Sequence, residues 1–253
     1  VKIQVRESGI YRITYEALRD MGINPQQVRI LGYGGAMLNQ DFSKSKIDDL
    51  PSVPFYMEKG SDGVFGAGDY IVFYGQGVTS WTYTGGRFSH TINPYSEYGY
   101  YFVSDNAGEQ RLLERRESVL QIDEDAQEIR TFTDRYVHEE ELVNLLDKTG
   151  RSGGGREFYG ETLSQNSPSV RWTWNIPDIT EGTSLRAYLN MAANSQQKVR
   201  IQVGIGESTD NMTISSMENQ GVTVYAMSQT KDSYFDPSEG EEQQVMLTYS
   251  NPT

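Results

Sequence analysis

Ser61 to Gly77 reads SDGVFGAGDYIVFYGQG. Asp62-Gly63 and Gly66-Ala67-Gly68-Asp69 are turn chemistry, because glycine reaches positive φ without steric cost and aspartate bonds its own backbone. They deliver the chain into Tyr70-Ile71-Val72-Phe73-Tyr74, a run of β-branched and aromatic residues that predicts a buried strand. Gly75 and Gly77 end it. The stretch holds no Cys, His or Lys, and no hydroxyl placed as a nucleophile or phosphate clamp. It reads as framework.

Working outward, short strands are expected at Val1–Val5, Ile10–Ile13, Val28–Leu31, Val53–Glu58, Trp81–Thr84 and Gly99–Val103. Thr14 is placed to cap a helix over Tyr15–Met21, with Glu16 in its first turn and Gly22 beyond its end. Gly32-Tyr33-Gly34-Gly35 breaks the third strand, and Gly85-Gly86 and Asn93-Pro94 separate the later ones. Residues 105–126 are charged and read as a connector, with strand character near Arg111–Leu113 and Ser118–Ile122. Beyond it, strands are expected at Ile129–Val137, Arg156–Leu163, Val170–Ile176, Ser184–Ala192, Lys198–Ile205, Gly221–Met227 and Gln243–Tyr249. Val199, Ile201, Val203 and Ile205 alternate with Arg200 and Gln202, the period of a strand with one buried face. One helix is expected among them, at Glu139–Asp147, acidic at its start and followed by Lys148. Arg151–Arg156 reads as a flexible glycine loop.

The fold class is therefore mainly β. Residues 1–115 form a mixed β domain with short helices, and residues 125–253 a jelly-roll-like β-sandwich. The 253 residues suffice for one large β domain or two ordinary ones. Only 36% are hydrophobic, and 17 Tyr, 9 Phe and 3 Trp supply much of the buried area. A net charge of −13 excludes nucleic-acid binding, which needs a basic surface to neutralise phosphates. It also opposes an electrostatic grip on anionic lipid. With zero cysteines there is no disulfide, no thiolate metal site and no cysteine nucleophile. No apolar run approaches the ~18 residues of a transmembrane segment. Val1-Lys2-Ile3 is already strand-like, which suggests a piece of a longer precursor.

Candidate chemistry is sparse. Gly66-Ala67-Gly68 fails as a dinucleotide fingerprint, since position 71 is Ile and a strand follows where a helix is required. Among Asp48, Asp49, Asp62 and Asp69, the pair Asp62 and Asp69 are weak metal candidates, and Asx turns explain them better. His90, in a polar loop, and His138, at the start of a Glu-rich helix, are too far apart to suggest zinc. Neither accompanies a G-x-S-x-G nucleophile turn. Trp172 and Trp174 lie two apart on one strand, point the same way, and are the candidates for stacking a ligand; with Tyr159 and Tyr188 they also suit a sandwich core. No catalytic residue and no cofactor site is expected. Paired carboxylates for glycoside hydrolysis would show only in the folded protein.

Several motifs in order carry a resemblance. Gly9-Ile10-Tyr11-Arg12-Ile13-Thr14 is followed by Met21-Gly22-Ile23 and Val28-Arg29-Ile30-Leu31-Gly32-Tyr33-Gly34-Gly35. Then come Ile47-Asp48-Asp49-Leu50-Pro51, Asp62 to Tyr74, Phe88-Ser89-His90, Asn93-Pro94-Tyr95-Ser96 and Tyr100-Tyr101-Phe102-Val103. Together they resemble the N-terminal region of the C-terminal signal peptidases (sortases) of the Bacteroidetes type IX secretion system, in the gingipain-type cysteine peptidase family. The resemblance is dense to about residue 105 and looser thereafter. It implies an extracytoplasmic protein at the cell surface and outer membrane that removes C-terminal secretion signals from cargo and couples cleavage to cargo attachment. The implied nucleophile is a Cys and the implied base a His, both in a peptidase domain that follows this region. No cysteine exists here to inherit that role, so the resemblance implies a non-catalytic fragment. Its implied partners are the absent peptidase domain of the same polypeptide, secretion cargo, or other secretion-system proteins. The competing reading is a carbohydrate-binding sandwich module of a surface polysaccharide system.

Overall fold

A computed structural model describes residues 1–116, 125–145, 157–217 and 225–250. The chain divides into two compact units, Val1–Glu128 and Ile129–Thr253. In both, the described strands pair antiparallel.

In the first unit the described strands are β1 (Lys2–Val5), β2 (Gly9–Thr14), β3 (Arg29–Gly34), β4 (Ser52–Val53), β5 (Phe55–Glu58), β6 (Tyr70–Gly75), β7 (Thr79–Thr84), β8 (Arg87–Ile92) and β9 (Gly99–Ser104). They form one sheet in the order β1-β9-β3-β4, a second in the order β2-β6-β5, and a hairpin of β7 and β8. Between the two sheets lies a core that includes Val5, Ile30, Phe55, Ile71, Phe73, Tyr101 and Val103. The central strand β6 is buried on one face only: Ile71 and Phe73 enter the core, while Tyr74 on the other face is 54% exposed. Thr14 caps α1 (Tyr15–Asp20) as expected, its hydroxyl accepting from the Ala17 N–H at 3.2 Å. Leu18 is the one buried residue of the helix, with Tyr15 and Ala17 packed partly buried against the same core.

The Gly32–Gly35 run does not break β3. The strand continues to Gly34, with an irregularity in its pairing to β9 between Leu31 and Gly34. Strand β8 is an addition to the sequence reading. Gly85 and Gly86 take φ of 61° and 74°, so the chain folds back in two residues and pairs Trp81 with His90. His90 is therefore a strand residue and not part of a loop. In the connector, Leu112 bridges Phe55, and Ser118–Ile122 lies outside the described residues.

The second unit contains β10 (Ser169–Asn175), β11 (Leu185–Ala193), β12 (Val199–Ile205), β13 (Ser208–Ile214), β14 (Met227–Phe235) and β15 (Glu242–Ser250). Four of them form a sheet in the order β10-β15-β12-β13, and β11 pairs with β14. The alternation of β12 is realised: Val199, Ile201, Val203 and Ile205 are all buried, in one cluster with Ile214, Phe235 and Val245. This is a sandwich-like arrangement. Strands β13 and β14 were not anticipated, while Arg151–Arg156 and residues 218–224 lie outside the described residues.

Three expectations for this unit fail, one of them the strand at Arg156–Leu163, whose described residues carry only an isolated bridge at Tyr159. Residues 139–145 are not helical: Val143 bridges Tyr159, with both backbone N–H groups donating at 2.8 Å. A nine-residue helix is marginal in isolation, so a backbone pairing of this kind outweighs its propensity. Ile129–Val137 is not a strand either. It is rich in β-branched and aromatic residues, but no neighbouring strand among the described residues pairs with it, and a strand needs a partner for its N–H and C=O groups.

Asp210 ties β13 to β14. Its carboxylate accepts from Lys231 Nζ at 2.6 Å and from Ser233 Oγ at 2.6 Å. Lys231, then Ser233, lower its pKa from the ordinary 3.8 to about 2. A depressed carboxylate pKa stabilises the fold above the unfolded value and loses that contribution as pH falls through the folded value. The second unit is therefore expected to weaken between about pH 4 and pH 2. Asp210→Asn removes that part of the acid dependence, roughly 1 kcal/mol once solvent screening of this partly exposed pair is allowed for. Acid titration followed by circular dichroism checks it, and identical curves for the two proteins would overturn it.

Candidate functional site

The loop Ser61–Asp69 spends its polar groups on its own backbone. Asp62 Oδ1 accepts from the Val64 N–H at 2.9 Å, and Asp69 Oδ2 from the Gly66 N–H at 2.7 Å. Glu16 Oε1 accepts from the Gly68 N–H at 2.8 Å, and that bond is the main cause lowering its pKa. The Tyr15 N–H donates to the Asp69 carbonyl at 2.9 Å, which joins the loop to the start of α1. Phe65 is buried from the same loop, edge-on to Tyr15 with ring centroids 5.5 Å apart. Gln26 Nε2 donates to the Phe65 carbonyl. These bonds make the loop a clamp between helix and sheet. Asp49 accepts from the adjacent Leu50 N–H at 2.8 Å. Among the described residues, no three His, Asp or Glu side chains gather in a way that holds a metal ion.

His90 lies on β8 with its ring 4.7 Å from that of Trp81, on the face that also carries Tyr83 and Phe88. An open depression of about 250 Å³ adjoins Gly204, with Arg171, Thr209, Gln244 and Met246 around it. Ser208 lies at its edge, and its hydroxyl accepts from the Asp236 N–H at 2.8 Å.

The structure brings together one cluster that the sequence scatters. Trp172 and Trp174 do point the same way along β10, with rings edge to face at 6.0 Å, and both pack against the sandwich core. His138 stacks on Trp172 at 4.0 Å, the two planes 19° apart. Its Nε2 is hydrogen-bonded to Glu161 Oε1. Glu161 carried no signal in the sequence, since only the folded chain brings it across 23 residues to His138.

No family model matches the sequence, and no curated protein matches it. Among solved structures, the chain is similar to the crystal structure of dimeric latent PorU from Porphyromonas gingivalis. The match has a TM-score of 0.68 and 26% sequence identity, and covers 99% of this chain.

The fold is PorU-like. This chain spans 22% of the PorU chain, so most of that protein has no counterpart here. The match extends through both units, including the second half, where the sequence motifs thin out. Among the described residues, no helix is long and apolar enough to cross a membrane.

Proposed function

We propose that this chain is the non-catalytic N-terminal region of a cell-surface C-terminal signal peptidase of the PorU type, the sortase that strips secretion signals from type IX cargo. The observation that carries the reading is the likeness over 99% of this chain to a structure of which it covers only 22%. Nearly every residue has a place in a much longer protein. The absence of cysteine supports the same reading, because cysteine peptidase chemistry needs a thiolate and this chain supplies none. The polar groups of the Ser61–Asp69 loop are taken up by its own backbone and by Glu16.

The role left to such a region is mechanical. Its two units, Val1–Glu128 and Ile129–Thr253, scaffold the peptidase domain that follows or meet cargo and secretion partners outside the cytoplasm. Sequencing the complete gene tests this directly. The reading frame is expected to continue into a segment with a Cys/His pair, and a stop codon after Thr253 would refute the proposal. The second check is enzymatic. This chain alone is expected to leave a secretion-signal peptide intact, and cleavage above a protein-free control would overturn the non-catalytic role.

A further inference from the structure

The four-stranded sheet of the second unit faces a pair of strands, and what lies on Trp172 of its edge strand β10 is a histidine ring. An indole in a sandwich core needs apolar neighbours for its ring and one acceptor for its N–H. Here it carries an imidazole whose polar edge is held by a carboxylate, and the side chains of His138 and Glu161 are each 26% exposed. The cluster therefore reaches solvent at the rim of the sandwich. Trp172 Nε1 is buried and has no acceptor among the described residues, a state that costs free energy. His138 is brought there by a segment, 129–145, that contains no described helix or strand and is joined to Tyr159 by the bridge at Val143 and by the Leu142 N–H, which donates to the Tyr159 carbonyl at 3.0 Å. That segment leaves Ile129 85% and Phe132 86% exposed, so its apolar side chains do little to fasten it.

We propose that His138 is a removable plug in a binding site for a neutral saccharide ring, formed by Trp172 and Glu161. A pyranose offers the two contacts the imidazole now makes: a flat C–H face for the indole and a polar edge for the carboxylate. The ligand is uncharged, because Glu161 and a net charge of −13 repel an acidic sugar. The plug makes apparent affinity equal to intrinsic affinity multiplied by the fraction of molecules with segment 129–145 lifted. This inference stands apart from the peptidase reading and survives its failure, since it uses only residues of the second unit.

The experiment is affinity electrophoresis of the intact chain and its variants in gels containing laminarin, dextran, mannan or polygalacturonate. One neutral polysaccharide is expected to retard the chain. His138→Ala should bind it more tightly by about tenfold or more, as expected if the open form is a minor state. Glu161→Gln should weaken retardation and Trp172→Ala abolish it. Trypsin should cut after Arg130 or Arg135 faster in His138→Ala, which reports the lifted segment without any ligand. The proposal is overturned if His138→Ala binds no neutral polysaccharide, or binds no more tightly than the parent chain. Retention of polygalacturonate alone would also overturn it. Trp172→Phe guards against misfolding: it keeps a ring in place, and should retain weakened binding with an unchanged circular dichroism spectrum.

Discussion

Gly34→Ala is expected to unfold the first unit. Gly34 has a φ of +79°, which costs an alanine about 1 kcal/mol. The larger penalty is spatial. A Cβ there would lie 2.4 Å from the Gln76 carbonyl oxygen and 2.7 Å from Tyr101 Oη, closer than real Cβ atoms come to anything. Neither neighbour can retreat cheaply. The Gln76 carbonyl accepts from the Gly35 N–H at 3.0 Å, and the Gln76 N–H donates to Tyr101 Oη at 2.8 Å. Gly99 closes the same knot, since a Cβ on it would sit 2.5 Å from both the Gln76 oxygen and the Gly35 nitrogen. The ends of β3 and β6 and the start of β9 thus meet backbone against backbone, and a methyl group must push one of them out of its sheet. A loss of about 4 kcal/mol or more follows, most of what a domain of this size has to spare. Hydrogen exchange read by peptide should show β1, β3, β6 and β9 unprotected while β12 and β15 keep their protection. Gly63→Ala is the control. It shares the positive φ, at +71°, but nothing lies within 4 Å, so only about 1 kcal/mol is at stake. Equal losses for the two variants would sink the argument.

That knot shows where the sequence is legible and where it is not. The quoted stretch ends in Gly75-Gln76-Gly77, and its glycines were legible as the end of a strand. Their second role is close approach: a Cβ on Gly77 would come 2.5 Å from the Arg6 carbonyl oxygen, a contact made across the fold and invisible along the chain. Strands with one buried face were legible because their period is local, as β12 shows. The β7–β8 hairpin carries its own signal, two glycines between short polar and aromatic runs, and glycines that end a strand look the same along the chain as glycines that turn it back. The helix expected at Glu139–Asp147 fails for a different reason. Its propensity and charges are favourable, and a bridge to Tyr159 decides against it. The stack of His138 on Trp172 is of the same kind, joining residues from an irregular segment and an edge strand. Candidate residues were therefore legible one at a time, Trp172 and Trp174 by spacing and His138 by rarity, while their juxtaposition was not.

Gln243→Leu should cost the second unit nearly as much. Alternation along β15 puts Gln243 on the face of Val245 and Leu247, so a polar side chain stands at an apolar phase, and it is fully buried. Its amide is completely engaged. Oε1 accepts from the Ser238 N–H at 2.7 Å and from Ser238 Oγ at 3.0 Å, while Nε2 donates to the Ser238 carbonyl at 3.1 Å and the Gly240 carbonyl at 3.0 Å. The side chain replaces the backbone partners that the turn from β14 into β15 cannot find for itself. Leucine fills nearly the same volume, so the loss is not a cavity. It strands a buried N–H and two carbonyls, each costing about 1–3 kcal/mol unless water reaches it. A total of about 4 kcal/mol is expected, a fall in melting temperature of roughly 10 °C or more. Glutamate is the sharper probe. It keeps both acceptor bonds of Oε1 and loses both donors, setting a carboxylate against two carbonyl oxygens. Gln243→Glu should therefore be at least as damaging as leucine at pH 7 and should recover in part below pH 5, where a protonated carboxyl regains one donor. Melting curves of the two variants across that range decide it. Were Gln243→Leu to melt within a degree or two of the parent, water would be doing what the amide is credited with here, and the turn would be held by the strands alone.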